Sequence, residues 1–154
     1  MKKKYVFILF LIINFGGLAL GSWLMNNGPT SDWYTYLYKA PWTPPGWFFG
    51  VAWTTIMLCF SWYLAELFHL RKSQFLWLLY AFQVLLNVSW NWFFFNQHLT
   101  IVALAVIVAL TLVIFYYFIT FRSDKLKYAK YLLLPYLLWL CIATSLNAYI
   151  VINN

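Results

Sequence analysis

Acidic side chains are almost missing from this chain: Asp32, Glu66 and Asp124 are its only carboxylates. None is paired at a spacing suited to acid–base work, which argues against two-carboxylate catalysis. Histidine is equally scarce, with only His69 and His98. Cys59 and Cys141 lack metal-ligand spacing, and so imply neither a disulfide framework nor a zinc site. Charged residues of both signs reach only 8%, against roughly 25% in soluble domains. That deficit leaves no room for a soluble catalytic or DNA-binding domain. What fills the 154 residues is apolar: 65% are hydrophobic and 24% aromatic.

The longest uncharged stretch runs from Ser73 to Phe121, interrupted only by the polar patch Asn96-Gln97-His98. As one helix it would extend about 74 Å at 1.5 Å per residue, more than twice the ~30 Å hydrocarbon core of a bilayer. It must fold back as two membrane spans turning near Asn96 to Thr100. The same reading along the chain predicts an all-α membrane protein, a single domain that is a five-transmembrane-helix bundle. The expected spans are residues 5–26, 45–69, 73–95, 100–121 and 129–152. The connection from Asn27 to Pro44 is long and rich in turn residues, and its prolines disfavour helix in the residues before them. Pro45 can then occupy the first turn of the second span, and Pro135 can bend the fifth.

The N-terminus has two readings. Lys2, Lys3 and Lys4 ahead of an apolar run, with Ala19-Leu20-Gly21 beyond, imitate a secretory signal. Uncharged sequence continues to Ser31, however, and Gly17 and Gly21 form a small-xxx-small pair suited to helix packing. A retained first helix is the expectation.

Basic residues orient the bundle. Lys2, Lys3, Lys4, Arg71, Lys72, Arg122, Lys125, Lys127 and Lys130 fall on one side of a five-span topology, and only Lys39 on the other. The positive-inside rule places the N-terminus in the cytoplasm and the C-terminus outside. Charge distributed over helix ends in this way orients a protein in the lipid bilayer and points to no nucleic-acid partner.

Inside the spans, polar residues recur at helical spacing. Gln83, Asn87 and Asn91 are four residues apart on one face, beside Trp90 and Phe94. Trp139, Ala143 and Asn147 repeat the pattern in the fifth span, with Tyr136 a turn or less away, and Trp53 lies within the second. Amides in lipid must find partners, so these faces point inward. They serve either as interhelical hydrogen bonds or as the wall of a pocket for a flat, mostly apolar ligand. Trp23, Trp33, Trp42, Trp47 and Trp77 sit near span ends and fit an interfacial belt. His69 and His98 lie on opposite sides of the membrane, too far apart to clamp one haem as paired axial ligands.

The tryptophan-rich pattern is similar to that of the translocator protein family, also called tryptophan-rich sensory proteins or peripheral benzodiazepine receptors. The resemblance rests on Trp33-Tyr34, then Leu37-Tyr38-Lys39-Ala40-Pro41-Trp42-Thr43-Pro44-Pro45, Phe49-Gly50 and Trp53-Thr54. It continues through Asn87, Trp90, Phe93 and Phe94, and through Pro135-Tyr136, Trp139, Ala143-Thr144 and Leu146-Asn147. The resemblance implies a five-helix bundle, often a homodimer, that binds porphyrin or haem and isoquinoline- or benzodiazepine-type drugs, with no cofactor required. It nominates Tyr34, Trp53, Asn87, Trp90, Trp139, Ala143 and Asn147 for the ligand, and Lys39, Pro41, Trp42, Pro44 and Pro45 for a loop lid. It also raises light-dependent porphyrin breakdown as an alternative to a receptor or carrier. Two features depart from the family: Ala40 displaces Pro41 by one place, and no basic residue follows Tyr149 to complete a sterol motif.

Overall fold

A computed structural model describes residues 2–121 and 123–154, without the side chain of Lys125. Arg122 and the Lys125 side chain, both counted in the charge distribution, therefore lie outside the described residues. Five long helices span Lys3–Leu24 (α1), Gly46–Leu70 (α3), Gln74–Asn91 (α4), Thr100–Thr120 (α5) and Leu134–Asn153 (α6), and a short helix, Asp32–Tyr36 (α2), interrupts the first connection. Each long helix, with its adjoining turns, is long and apolar enough to cross a membrane.

The helix boundaries have local causes. Asn26 takes a left-handed φ of 55°, a conformation asparagine tolerates better than most residues. It stops α1 before the expected end, and Gly28 at φ 47° completes the turn. Pro45 lies just outside α3, extended at ψ 152°, rather than in its first turn. The expected third span divides into α4 and a wide π turn, Trp92–Asn96. The fifth divides too: Ala129–Leu133 winds as a tight 3-10 segment, and Pro135 sits in the first turn of α6. Proline has no N–H to give and is tolerated only where none is needed, so it starts this helix instead of bending it.

Packing closes the helices into a ring in the order α1, α3, α6, α5, α4 and back to α1. Each contributes a buried stripe. In α5 the stripe is Ala103, Ile107, Leu110, Ile114 and Tyr117, at alternating spacings of four and three. The centre is aromatic, with Phe60, Tyr63, Tyr117 and Tyr136 fully enclosed. Outward positions such as Ile12, Leu85, Leu112 and Leu138 remain more than half exposed. In lipid those side chains need no protein cover.

The small pair in α1 works inside this ring. A Cβ at Gly17 would touch Val84 and Val88, and one at Gly21 would come within 2.6 Å of Asn91 Nδ2. Gly21 thus lets α1 lie directly on α4. At the Lys3 end, Lys3 pairs with Glu66, which also accepts a 3.2 Å bond from Trp62 Nε1.

Candidate functional site

Four helices converge on one small cavity. The first turns of α3 bring Phe49 and Trp53, and α4 brings Asn87 and Trp90. From α5 come Ile107 and Leu110, and from α6 Trp139 and Ala143. The spacing explains the convergence: residues three or four apart on a helix share a face.

Polar contacts fix the walls. Asn87 Nδ2 donates to the Tyr136 hydroxyl, which also accepts a 2.9 Å bond from Gln83 Nε2. Trp90 Nε1 donates to Asn147 Oδ1 at 3.1 Å, and Asn147 Nδ2 donates to the Thr100 carbonyl at 2.9 Å. These bonds join α4, α5 and α6. Trp139 is held edge-on by Phe49 at 5.1 Å and by Trp53 at 6.4 Å. Its indole N–H has no acceptor among the described residues, although the side chain is only 4% exposed. An unmet buried donor costs about 1–3 kcal/mol.

The cavity itself is only about 30 Å³. A single water needs roughly 10–15 Å³ of such space, whereas drug-sized ligands occupy pockets of roughly 300–1,000 Å³. A drug-sized molecule would fit here only if the lining side chains moved apart.

Of the seven nominated ligand residues, Trp53, Asn87, Trp90, Trp139 and Ala143 surround this cavity. Asn147 stands behind Trp90 as its hydrogen-bond acceptor. Tyr34 lies apart, against Phe95 at 5.3 Å and Phe94 at 6.3 Å. Its link inward is indirect, because Phe94 stacks on Trp90 at 5.0 Å and 15°. Burial pushes the Tyr34 pKa above its ordinary value, so the phenol stays neutral.

The first loop is held by contacts along residues 33–42. Lys39 Nζ donates to the carbonyls of Tyr34 at 2.8 Å and Thr35 at 3.1 Å, covering the end of α2 where carbonyls are free. Trp42 Nε1 donates to Ser145 Oγ at 3.1 Å, and its ring meets Tyr149 edge-on. Asn154 clamps Tyr38 from both sides, accepting from its N–H at 2.9 Å and donating to its carbonyl at 3.2 Å. Pro41, Pro44 and Pro45 flank these contacts, and Ala40 is buried beneath them. A further stack, Trp33 on His98 at 4.0 Å and 12°, joins the loop to the α4–α5 turn.

Sequence reasoning did not single out Ile107 and Leu110, because α5 is apolar on every face. Phe49 was visible in the Phe49-Gly50 match. The contact of Phe48 with Trp139 (5.9 Å) has no comparable signal.

Comparison with known proteins accounts for the arrangement. Residues 7–152 match the TspO/MBR family. The chain is 30% identical to the tryptophan-rich protein TspO of Bacillus cereus, over 96% of this chain and 94% of that one. It is 33% identical to the Chlorobaculum tepidum protein of the same name, over 77% of each chain. It is 34% identical to the tryptophan-rich sensory protein of Cereibacter sphaeroides, over 75% of this chain and 73% of the other. With five apolar helices and a match of this extent, the chain is a multi-pass integral membrane protein belonging to the TspO/MBR family.

Proposed function

We propose that the protein is a membrane receptor or carrier for a porphyrin-type tetrapyrrole, bound in the cavity between α3, α4, α5 and α6. The observation that carries this reading is a cavity walled by three tryptophans and one amide, with the small side chain of Ala143 beside them. Such a site suits a flat apolar ring system bearing at least one hydrogen-bond acceptor. Isoquinoline- and benzodiazepine-type molecules share that chemistry and should compete for it. The name of the Cereibacter relative, a sensory protein, favours a regulatory role. We place the N-terminus in the cytoplasm of a bacterial cell and the C-terminus outside, from the distribution of lysine and arginine. Loop one would then be the outer lid. A homodimer in the bilayer is part of the same proposal.

Titration of the purified chain with protoporphyrin, haem and an isoquinoline carboxamide tests the reading. Saturable binding of a porphyrin, displaced by the carboxamide, supports it; failure of all three ligands to bind overturns it. A second reading, light-dependent porphyrin breakdown, is favoured by the presence of Trp53, Trp90 and Trp139 around one cavity. The excited ligand would supply the chemistry, with the indoles as redox participants. Product analysis after illumination and in darkness separates the two: unchanged porphyrin in both arms leaves only the carrier.

A further inference from the structure

At the Lys3 end of the bundle, the connection from α5 to α6 encloses an open hollow of about 280 Å³. Its lining has two chemical halves. Phe121 and Leu126 are buried and make an apolar floor, while Ser123, Asp124, Lys127 and Lys130 make a polar rim. A third cation approaches from the end of α3, where the Arg71 guanidinium lies 5.9 Å from the centre of the Phe121 ring. Among the described residues the single ion pair is Lys3–Glu66, so Arg71, Lys127 and Lys130 have no carboxylate partner there. Asp124 is the one carboxylate lining the hollow, and it pairs with none of the three. Lys130 is held against aromatic faces, its Nζ 5.6 Å from the Phe118 ring and 5.2 Å from that of Tyr131. The Ser123 hydroxyl accepts from the Leu126 N–H and keeps its own hydrogen to donate.

We propose that this hollow seats the phosphate of an anionic phospholipid from the leaflet at the Lys3 end. Lys127 and Lys130 face the phosphate, Ser123 donates to it, and Arg71 adds to the positive field. The depth is right for a headgroup: Tyr128 and Tyr131 are exposed beside the hollow, as in an interfacial belt. On the helix turns next to it, Ile119 and Leu134 expose apolar surface that the upper acyl chains would cover. A free anion would leave the floor of Phe121 and Leu126 wet, and a lipid would not. Orienting the bundle needs only a number of cations on one side; it does not require them around an apolar floor. The proposal is independent of what the aromatic cavity binds.

Native mass spectrometry of the full chain, titrated with phosphatidylglycerol or phosphatidylcholine, tests it. Phosphatidylglycerol should bind more tightly, by about tenfold or more. A Lys127→Gln, Lys130→Gln variant should lose at least about tenfold in phosphatidylglycerol affinity, since each lysine near an anionic surface contributes about fivefold. A Lys2→Gln, Lys4→Gln variant removes the same charge from the same end, outside the hollow, and should bind like wild type. Equal affinity for the two lipids in wild type would overturn the proposal. Equal weakening in the two variants would also overturn it, because a diffuse field would then replace a site. Displacement of the lipid by excess inorganic phosphate would assign the hollow to the free anion and overturn the lipid as its occupant.

Discussion

Trp90 and Trp139 face the same cavity, yet Trp→Phe at the two positions should affect stability very differently. Both substitutions shrink a bicyclic ring to a monocyclic one, so the loss of packing is similar. The polar terms have opposite signs. Trp139 carries a buried N–H with no acceptor among the described residues, and its removal relieves about 1–3 kcal/mol. Trp90 donates to Asn147 Oδ1, and Asn147 is 2% exposed. Losing that donor forfeits a bond of about 0.5–1.5 kcal/mol and strands a buried acceptor. Trp90→Phe should therefore be less stable than Trp139→Phe by about 2–6 kcal/mol, about 1–3 relieved at Trp139 and about 1–3 incurred at Asn147. The assay is reversible unfolding in mixed micelles, followed by helix content, with both variants on the same day as wild type. Equal destabilisation would show that the Trp139 N–H is satisfied in the membrane. Greater loss at Trp139 would refute the assignment of the two indoles.

Other consequences are simpler to read. Ala143→Leu adds three heavy atoms beside a cavity of about 30 Å³, so overpacking should cost about 1–3 kcal/mol. Porphyrin affinity should fall at least tenfold, about 1.4 kcal/mol, and unchanged affinity would remove Ala143 from the site. Gly21→Ala must push aside Asn91, whose Nδ2 would lie 2.6 Å away, at a cost of about 1–3 kcal/mol. Gly16→Ala meets nothing within 4 Å and should gain about 0.5–1 kcal/mol, so similar melting temperatures for the two would sink the close-packing argument. In a Cys59→Ser, Cys141→Ser background, Thr30→Cys and Asn153→Cys should react with an impermeant maleimide added outside intact cells. Labelling only after permeabilisation would reverse the topology.

The fold was legible because lipid simplifies the code. Long uncharged runs broken by Asn27 to Pro44, by Arg71-Lys72 and by Asn96 to Leu99 leave only a few ways to span. The interior was harder. The Gln83–Asn87–Asn91 row showed which face of α4 turns inward, but not that it serves both earlier readings. Gln83 and Asn87 bind Tyr136 in α6, while Asn87 also borders the cavity. Helical periodicity locates a face, not the residue that meets it from another helix. For the same reason α5 gave no hint of Ile107 or Leu110: when every position is apolar, the buried stripe has no contrast. Tyr34 illustrates a different limit. A motif match carries no distance, and here α2 and the Lys39 contacts place it with Phe94 and Phe95 rather than at the cavity. Nor could sequence indicate that the cavity is so small, since its volume depends on side-chain positions from four helices.

The central claim is that the aromatic cavity takes the tetrapyrrole, and protoporphyrin titration of three proteins tests it most directly. These are wild type, Ala143→Leu, and Leu138→Ala, which alters a lipid-facing position of α6 that is 65% exposed. Quenching of tryptophan emission should saturate for wild type and Leu138→Ala with equal affinity, and Ala143→Leu should bind at least tenfold more weakly. Equal affinity in all three, or quenching that rises without saturation, would contradict the account.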